Sequence, residues 1–520
     1  MDQLFFRGDL ALPGKAEEQA REAYNMKRTF LIWPAEVTKQ SALYPPLGLA
    51  SLGAVLKQQG FAVEMVDLTF DEAWRQIHSL NGQGDIYGIS LTSSLYGTTK
   101  RCIDTIRSRD KHAKFVLGGP HASVLPEETL KELGAEVVCM GEAEISFPLV
   151  IKALENDGDL AGIKGIAFRD KDDRVTITAD IEKIENLDEL PFPDQSLFPY
   201  ERYFRAKGFR ELSLVTSRGC PGECIFCQPT LEKMFGKKVR FHSSDNVIRQ
   251  IQMMKEKFKL DFFVVSDDTF VTNRKRVIDL CERIRDEKID IFWRCQSRVS
   301  LLDRKIIKKL KSAGCFMIAL GVESGSQKIL DLLQKGIRVE KIKEVFRICH
   351  EEGMLTHAYL MIGSEGETRQ TVEETKDLLK TIRPFSSNIC VTTPYPGTFL
   401  HQRLRAQGLL GANTWEKYDH LISDTIHIET STFNLSDVNR FKATLLRAQK
   451  YPVFRLICLL KVFLDLNNLQ RLTRLIFSNP GIIVRGARLF CKSIFSNLLE
   501  VSNPKTKAYK IFAENSETEV

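Results

Sequence analysis

Along the first third of the chain, short apolar runs alternate with amphipathic stretches. FLIWPA (30–35), VEMVDL (63–68), DIYGISL (85–91), KFVLGG (114–119) and EVVCMG (136–141) are each long enough for a buried strand and too short for a packed helix. The segments between them, such as LGLASLGAVLKQQG and ETLKELG, place apolar residues at i, i+3 and i+4 and end in glycine, a helix stop. Strand and helix in alternation predict a doubly wound, Rossmann- or flavodoxin-like α/β domain over 29–168. Ligands of such sheets bind outside the carboxyl ends of the strands, which gathers residues 90–94, 118–123 and 141–144 around one crevice.

A second series begins near Leu212: LSLVTS (212–217), DFFVVS (261–266), IFWRCQS (291–297), CFMIALGV (315–322), HAYLMIG (357–363) and SNICVTT (387–393). Helical patterns such as DNVIRQIQMMKEKF and KIKEVFRICHEEG separate them. Six βα units over 206–412 predict a partial parallel barrel with its working residues at the C-terminal strand ends. The polar stretch 169–205, with a β-like patch, a charged run at 170–173 and a Pro191-Phe192-Pro193 kink, reads as a linker or small β insertion. Residues 1–28 form an extension without the continuous apolar core of a secretory signal, so a cytoplasmic location is expected. Residues 413–520 read as helical, apolar and basic. Their longest uncharged stretch, LIFSNPGIIV (475–484), falls short of the ~20 residues a bilayer crossing needs.

Length and charge refine this division. At 520 residues the chain exceeds what one core usually organises. Its 43% hydrophobic and 27% charged residues exclude collagenous and disordered classes. The net charge of +7 is concentrated: between Phe441 and Glu500 ten basic residues face only Asp465 and Glu500, a net of 10 − 2 = +8. A general nucleic-acid binder is thereby excluded, and any anionic partner surface is confined to the C-terminal end. The apolar residues of 451–499, interleaved with arginines, suit packing on the barrel, with peripheral membrane contact as the alternative.

Nine of the twelve cysteines stand singly among apolar neighbours and read as small buried hydrophobes. The other three form Cys220-Pro-Gly-Glu-Cys224-Ile-Phe-Cys227, directly after the first barrel strand. Three thiolates so spaced can hold three corners of a cubane iron-sulfur cluster and leave one iron open. A zinc site with the distant His242 as fourth ligand, or a Cys224–Cys227 redox pair, are the competing uses.

This spacing, with an aromatic before the last cysteine, resembles the signature of the radical S-adenosylmethionine superfamily. The resemblance implies that Cys220, Cys224 and Cys227 hold a [4Fe-4S] cluster whose open iron chelates S-adenosylmethionine, and that one-electron reduction by a flavodoxin- or ferredoxin-type donor yields a 5′-deoxyadenosyl radical. It implies further that Phe226 lies near the adenine, Asp267 or Asp268 contacts the methionyl amino group, Glu323 and Ser324 meet the ribose, and Gly363 forms the adenine-side turn. For the acidic residues, capping of the following helix is the alternative.

Tyr44-Pro-Pro-Leu-Gly48, Gly118-Gly-Pro-His-Ala122 and Gly141-Glu-Ala-Glu144 resemble the cobalamin-binding domain that precedes the barrel in one large class of that superfamily. Tyr44, Ser93, Gly118, Gly119, Gly141 and Glu142 are the cofactor-facing candidates on that resemblance. The Asp-x-His-x-x-Gly motif that gives cobalt a histidine elsewhere is absent, and the loop 36–47 has no histidine. His121, on a crevice loop, is assigned a capping or solvated role rather than cobalt ligation. With S-adenosylmethionine and cobalamin together, the resemblance implies methylation of an unactivated carbon in a small-molecule or lipid-like substrate. Oxidative cyclisation of the anaerobic magnesium-protoporphyrin ester cyclase type is the runner-up, and a non-catalytic corrinoid carrier or sensor is the reading from another class.

Overall fold

The computed structural model describes residues 28–35, 44–70, 72–79, 85–170, 172–179, 181–410, 415, 418, 428, 432–449 and 451–463. The N-terminal extension, most of the 36–47 loop and the 475–484 stretch lie outside the described residues.

Strands β1 (Thr29–Trp33), β2 (Val63–Asp67), β3 (Ile86–Ser90), β4 (Lys114–Gly118) and β5 (Val137–Cys139) pair in parallel in the order β2-β1-β3-β4-β5. All five residues of β1 are buried, as a central strand with helices on both faces requires. The strand order turns back between β1 and β3, and the crevice at such a switch point is where doubly wound sheets take ligands. The sheet then continues past the predicted 168/169 boundary. β6 (Ile166–Arg169) adds antiparallel to β5, and β7 (Val175–Ile177) adds to β6. Asp170 accepts the backbone N–H groups of Asp172 and Arg174, both at 2.9 Å, so the charged run at 170–173 is the tip of a hairpin rather than a domain edge.

The second sheet starts with β8 (Glu211–Leu214). A short antiparallel ribbon follows, β9 (Ser217–Arg218) with β10 (Arg240–Phe241), and the cysteine loop lies between its strands. β11 (Phe262–Val265), β12 (Phe292–Ser297), β13 (Cys315–Glu323), β14 (Leu355–Ile362) and β15 (Ser386–Val391) then add in chain order, all parallel. β8 and β15 remain the two edges, giving an open half-barrel of six βα units. The helices between them start where the sequence supplies a cap. Ser243 accepts from Asn246 N–H, Asp303 from Ile306 N–H, and Thr368 forms a reciprocal box with Thr371. Each such cap contributes about 1 kcal/mol.

One apolar core runs through both sheets, from Leu31, Val116 and Phe147 to Leu212, Phe263 and Ile318. The two units are therefore packed on one another, with their strand ends facing a common space. Six of the nine single cysteines (Cys102, Cys139, Cys281, Cys295, Cys315 and Cys349) are buried as expected. Cys390 and Cys458 are half-buried, and Cys491 lies outside the described residues.

Candidate active site at the domain junction

The cysteine loop leaves β9 through Gly219 and is held from several sides. Cys220 Sγ receives the Gly222 N–H at 3.4 Å and lies 3.3 Å from Thr269 Oγ1. Arg298, just past the end of β12, donates Nη1–H to Cys224 Sγ at 3.1 Å. The Lys335 ammonium stands 5.7 Å from the Phe226 ring and interacts electrostatically with Cys224. Burial, reinforced by the Cys224 charge, pushes the Cys227 thiol up to about 12. A thiol of that kind ionises only when a metal takes up the negative charge. Among the described residues no three His, Cys, Asp or Glu side chains converge on one point as a single metal ion demands. A cubane distributes its thiolates over separate irons, and donors to the sulfurs with cations beside them are the environment it uses. His242 is bonded through Nδ1 to Asp188 at 3.0 Å, and among the described residues it does not converge with the three cysteines as a zinc site would require.

A cavity of about 320 Å³ lies between the carboxyl ends of β1, β3 and β4 and the mouth of the half-barrel. Gly118, Gly119, Gly141 and Glu142 line it from the first sheet, and Ser217, Arg218, Ser266 and Asp268 from the second. Two of its glycines are needed for the backbone itself. Gly119 has φ +94°, and a Cβ there would stand 2.9 Å from the Leu91 carbonyl oxygen. Gly141 has φ +69°, and its Cβ would meet Ile181 at 2.8 Å. The volume is at the lower end of the range for small-ligand sites.

Several assigned contacts are already satisfied by protein. Glu142 accepts from Arg218 Nη1 at 2.6 Å and from Arg240 Nη1 at 2.7 Å. Glu144 accepts from Arg218 Nη2 at 2.6 Å and from Ser51 Oγ at 2.9 Å. All four charged residues are largely buried, and Glu142, which also lines the cavity, takes part in a clamp between the first sheet and the β9–β10 ribbon. Tyr44 is absent from the cavity lining; its phenol oxygen accepts from Arg294 of β12 at 2.9 Å and Lys207 lies over its ring. Ser93 Oγ is bonded to His121 Nδ1 at 2.9 Å. His121 itself is buried against Tyr96 and Trp415, so it is neither a cap nor solvated. The imidazole that does line the cavity is His242.

At the barrel mouth the two adjacent aspartates separate. Asp267 is fully buried and its carboxylate accepts from Thr216 N–H (2.5 Å), Thr216 Oγ1 (2.6 Å) and Ser217 Oγ (2.6 Å), tying β11 to the end of β8. Asp268 accepts from Gly219 N–H at 3.3 Å and faces the cavity; burial, then the Asp267 charge, raises its carboxyl above the usual range. Neither aspartate is a helix cap: Thr269 precedes the short 3-10 turn Phe270–Thr272, and Asn273 caps the helix Arg274–Asp286. Glu323 sits at a bulge in β13 with φ +63° and is paired to Lys335 Nζ at 2.6 Å. It is not a helix cap either, since the following helix is preceded by Ser326. Ser324 Oγ is turned away, 3.2 Å from Thr375 Oγ1 and accepting from Ser326 N–H. Gly363 forms a buried turn whose N–H donates to Glu367, and burial raises the Glu367 carboxyl to about 7.

Sequence profiles described as "Radical SAM superfamily" and "B12 binding domain" match residues 214–379 and 37–151. An uncharacterised methyltransferase of Pyrococcus horikoshii is 33% identical over 380 residues, 72% of this chain and 81% of that protein. The chain belongs to the cobalamin-binding radical S-adenosylmethionine enzymes. An anaerobic magnesium-protoporphyrin IX monomethyl ester cyclase of Rubrivivax gelatinosus is 26% identical over 374 residues, 69% of this chain and 66% of that protein. The fold is shared with the cobalamin-dependent radical enzyme OxsB, solved with aqua-cobalamin and S-adenosylmethionine, at a TM-score of 0.66 and 16% identity over 97% of this chain and 86% of that one. As a member of this class the enzyme uses a [4Fe-4S] cluster, S-adenosylmethionine and cobalamin. Sequence reasoning missed Arg298 and Lys335. Arg298 carried a usable signal, a cation immediately after a barrel strand; Lys335 lies in a helix-following turn and carried none.

Proposed function

We infer that the enzyme methylates an unactivated carbon of a small-molecule or lipid-like substrate in the cytoplasm, with electrons from a flavodoxin- or ferredoxin-type donor. The observation that carries this reading is the common cavity: Gly118 and Gly119 from the cobalamin-domain crevice and Ser217 and Asp268 beside the cysteine loop line the same space. Bound together, the three cofactors supply a hydrogen abstractor and a transferable methyl group. The chain's own residues position them. Cys220, Cys224 and Cys227 are assigned to the cluster, Asp268 to the methionyl amino group, and Gly118, Gly119 and Gly141 to the corrinoid side. The Glu323–Lys335 pair at the open end of β13 is assigned to the nucleoside, with Phe226 beside it. The clamp through Arg218 fixes the distance between the two halves, as a transfer between two bound cofactors requires.

Cyclisation is the second reading, favoured by the protoporphyrin ester cyclase relative. The two predict different products. Anaerobic incubation of reconstituted enzyme with cell extract and methyl-labelled S-adenosylmethionine should yield a metabolite that carries the label. The label should be missing when Cys220, Cys224 and Cys227 are all alanine. A product that has lost hydrogen without gaining label would establish cyclisation instead.

A further inference from the structure

The helix Pro452–Phe463 is apolar on two opposite faces. Its inner face packs on the barrel: Phe454 meets the His350 ring edge-on at 5.0 Å and the Tyr451 ring at 5.8 Å, and Val462 is buried. On the other face Val453, Leu456, Ile457 and Leu460, spaced i, i+3, i+4 and i+7, are 70%, 45%, 47% and 46% exposed. Leu446, in the preceding helix, is 48% exposed as well. A continuous apolar stripe of this kind facing water marks an interaction surface.

The charge around this stripe indicates the covering partner. From Phe441 to Phe463 the chain carries Lys442, Arg447, Lys450, Arg455 and Lys461 and no Asp or Glu, and the excess of cations continues to Glu500. An anionic bilayer offers apolar depth and negative charge at once. We propose that this helix is an interfacial membrane-docking element that seats its Val453–Leu456–Ile457–Leu460 stripe in an anionic lipid surface. The helix lies against His350, at the N-terminal end of β14, whereas the cysteine loop follows the C-terminal end of β8. Because the barrel strands are parallel, docking leaves the cofactor cavity at the far end, facing away from the lipid and open to solvent. The inner face of this helix packs on the barrel as the sequence suggests, and the rest of the tail lies outside the described residues.

The test uses full-length holoenzyme with phosphatidylcholine vesicles containing about 30% phosphatidylglycerol, followed by co-sedimentation. Binding is expected at low salt and should fall at least tenfold at about 0.5 M salt, where the screening length is a few ångströms. Leu456→Glu with Ile457→Glu should lower the vesicle partition coefficient roughly tenfold or more, because it removes buried apolar area and adds charge repulsion. The milder pair Ile457→Ser with Leu460→Ser, checked for unchanged cluster absorbance and melting temperature, should weaken binding in the same direction without disturbing the fold. No binding of the wild type at low salt would overturn the proposal, as would binding that both folded variants retain in full. A wild-type dimer in sedimentation velocity that the variants dissociate, in protein that ignores vesicles, would assign the stripe to a second copy instead. Neither assay depends on cofactor chemistry, so failure here leaves the methylation reading standing.

Discussion

The clamp between Glu142, Glu144, Arg218 and Arg240 gives the sharpest test of how the two halves are held. Arg218 donates one Nη to each glutamate at 2.6 Å, and its side chain is 14% exposed against 1% and 8% for the two acids. Burial raises the Glu144 carboxyl, but the Arg218 charge and hydrogen bond outweigh it, so the group sits below the usual range and is ionised. Arg218→Met leaves Glu142 with Arg240 alone and Glu144 with only Ser51, each still buried. Removing one partner of a buried pair costs about 3–5 kcal/mol, chiefly because the remaining charge has lost its compensation. Neutralising the stranded acid as well should not carry that cost: Arg218→Met combined with Glu144→Gln keeps the Glu142–Arg240 pair and should recover most of the loss. Chemical denaturation, read by tryptophan fluorescence and by release of bound corrinoid, measures both, with iron content as a control for the neighbouring loop. A single variant within about 1 kcal/mol of wild type would show that water relaxes the network and would refute the clamp. A Glu142→Gln protein that keeps its stability but loses corrinoid affinity would restore the original assignment of Glu142 to the cofactor.

Arg298→Met should shift the cluster's midpoint potential downward, since a guanidinium donor to Cys224 Sγ stabilises the more negative reduced state. Potentiometric titration followed by electron paramagnetic resonance would detect it, and an unchanged potential would make the contact merely structural. Glu323→Gln leaves the Lys335 ammonium without its carboxylate and should weaken S-adenosylmethionine binding roughly tenfold or more at constant iron content. Equilibrium dialysis with the labelled cofactor reads this, and unchanged affinity would remove Glu323 from the nucleoside site. Burial holds the His121 imidazole down at about 4 from an ordinary 6.5, so the unfolded chain binds the extra proton between those values. Its contribution to stability is therefore complete above pH 6.5 and is lost as pH falls toward 4, by up to about 3 kcal/mol. Melting curves of wild type and His121→Asn should converge over that window, and parallel curves would show that His121 is solvated.

All eleven strands expected in the two βα series form, because each is a short run rich in apolar residues, too short for a packed helix. The cysteine triad was equally legible, since its chemistry depends on spacing within one loop. The hairpin β6–β7 was harder to see: Val175–Ile177 is half-exposed at a sheet edge, so its apolar signal is weak and its pairing with Ile166–Arg169 is decided by the sheet it extends. Glu142, Tyr44, Ser93 and Ser324 stand in motifs that look cofactor-facing. Only the packed structure shows their polar atoms engaged by Arg218 and Arg240, Arg294, His121 and Thr375, partners 28 to 250 positions away. Asp267 and Asp268 are neighbours in sequence, yet one ties two strands together and the other faces the cavity. A side chain's residue type sets which bonds it can make; which of them it does make depends on the groups that folding brings within about 3 Å, and those come from distant parts of the chain.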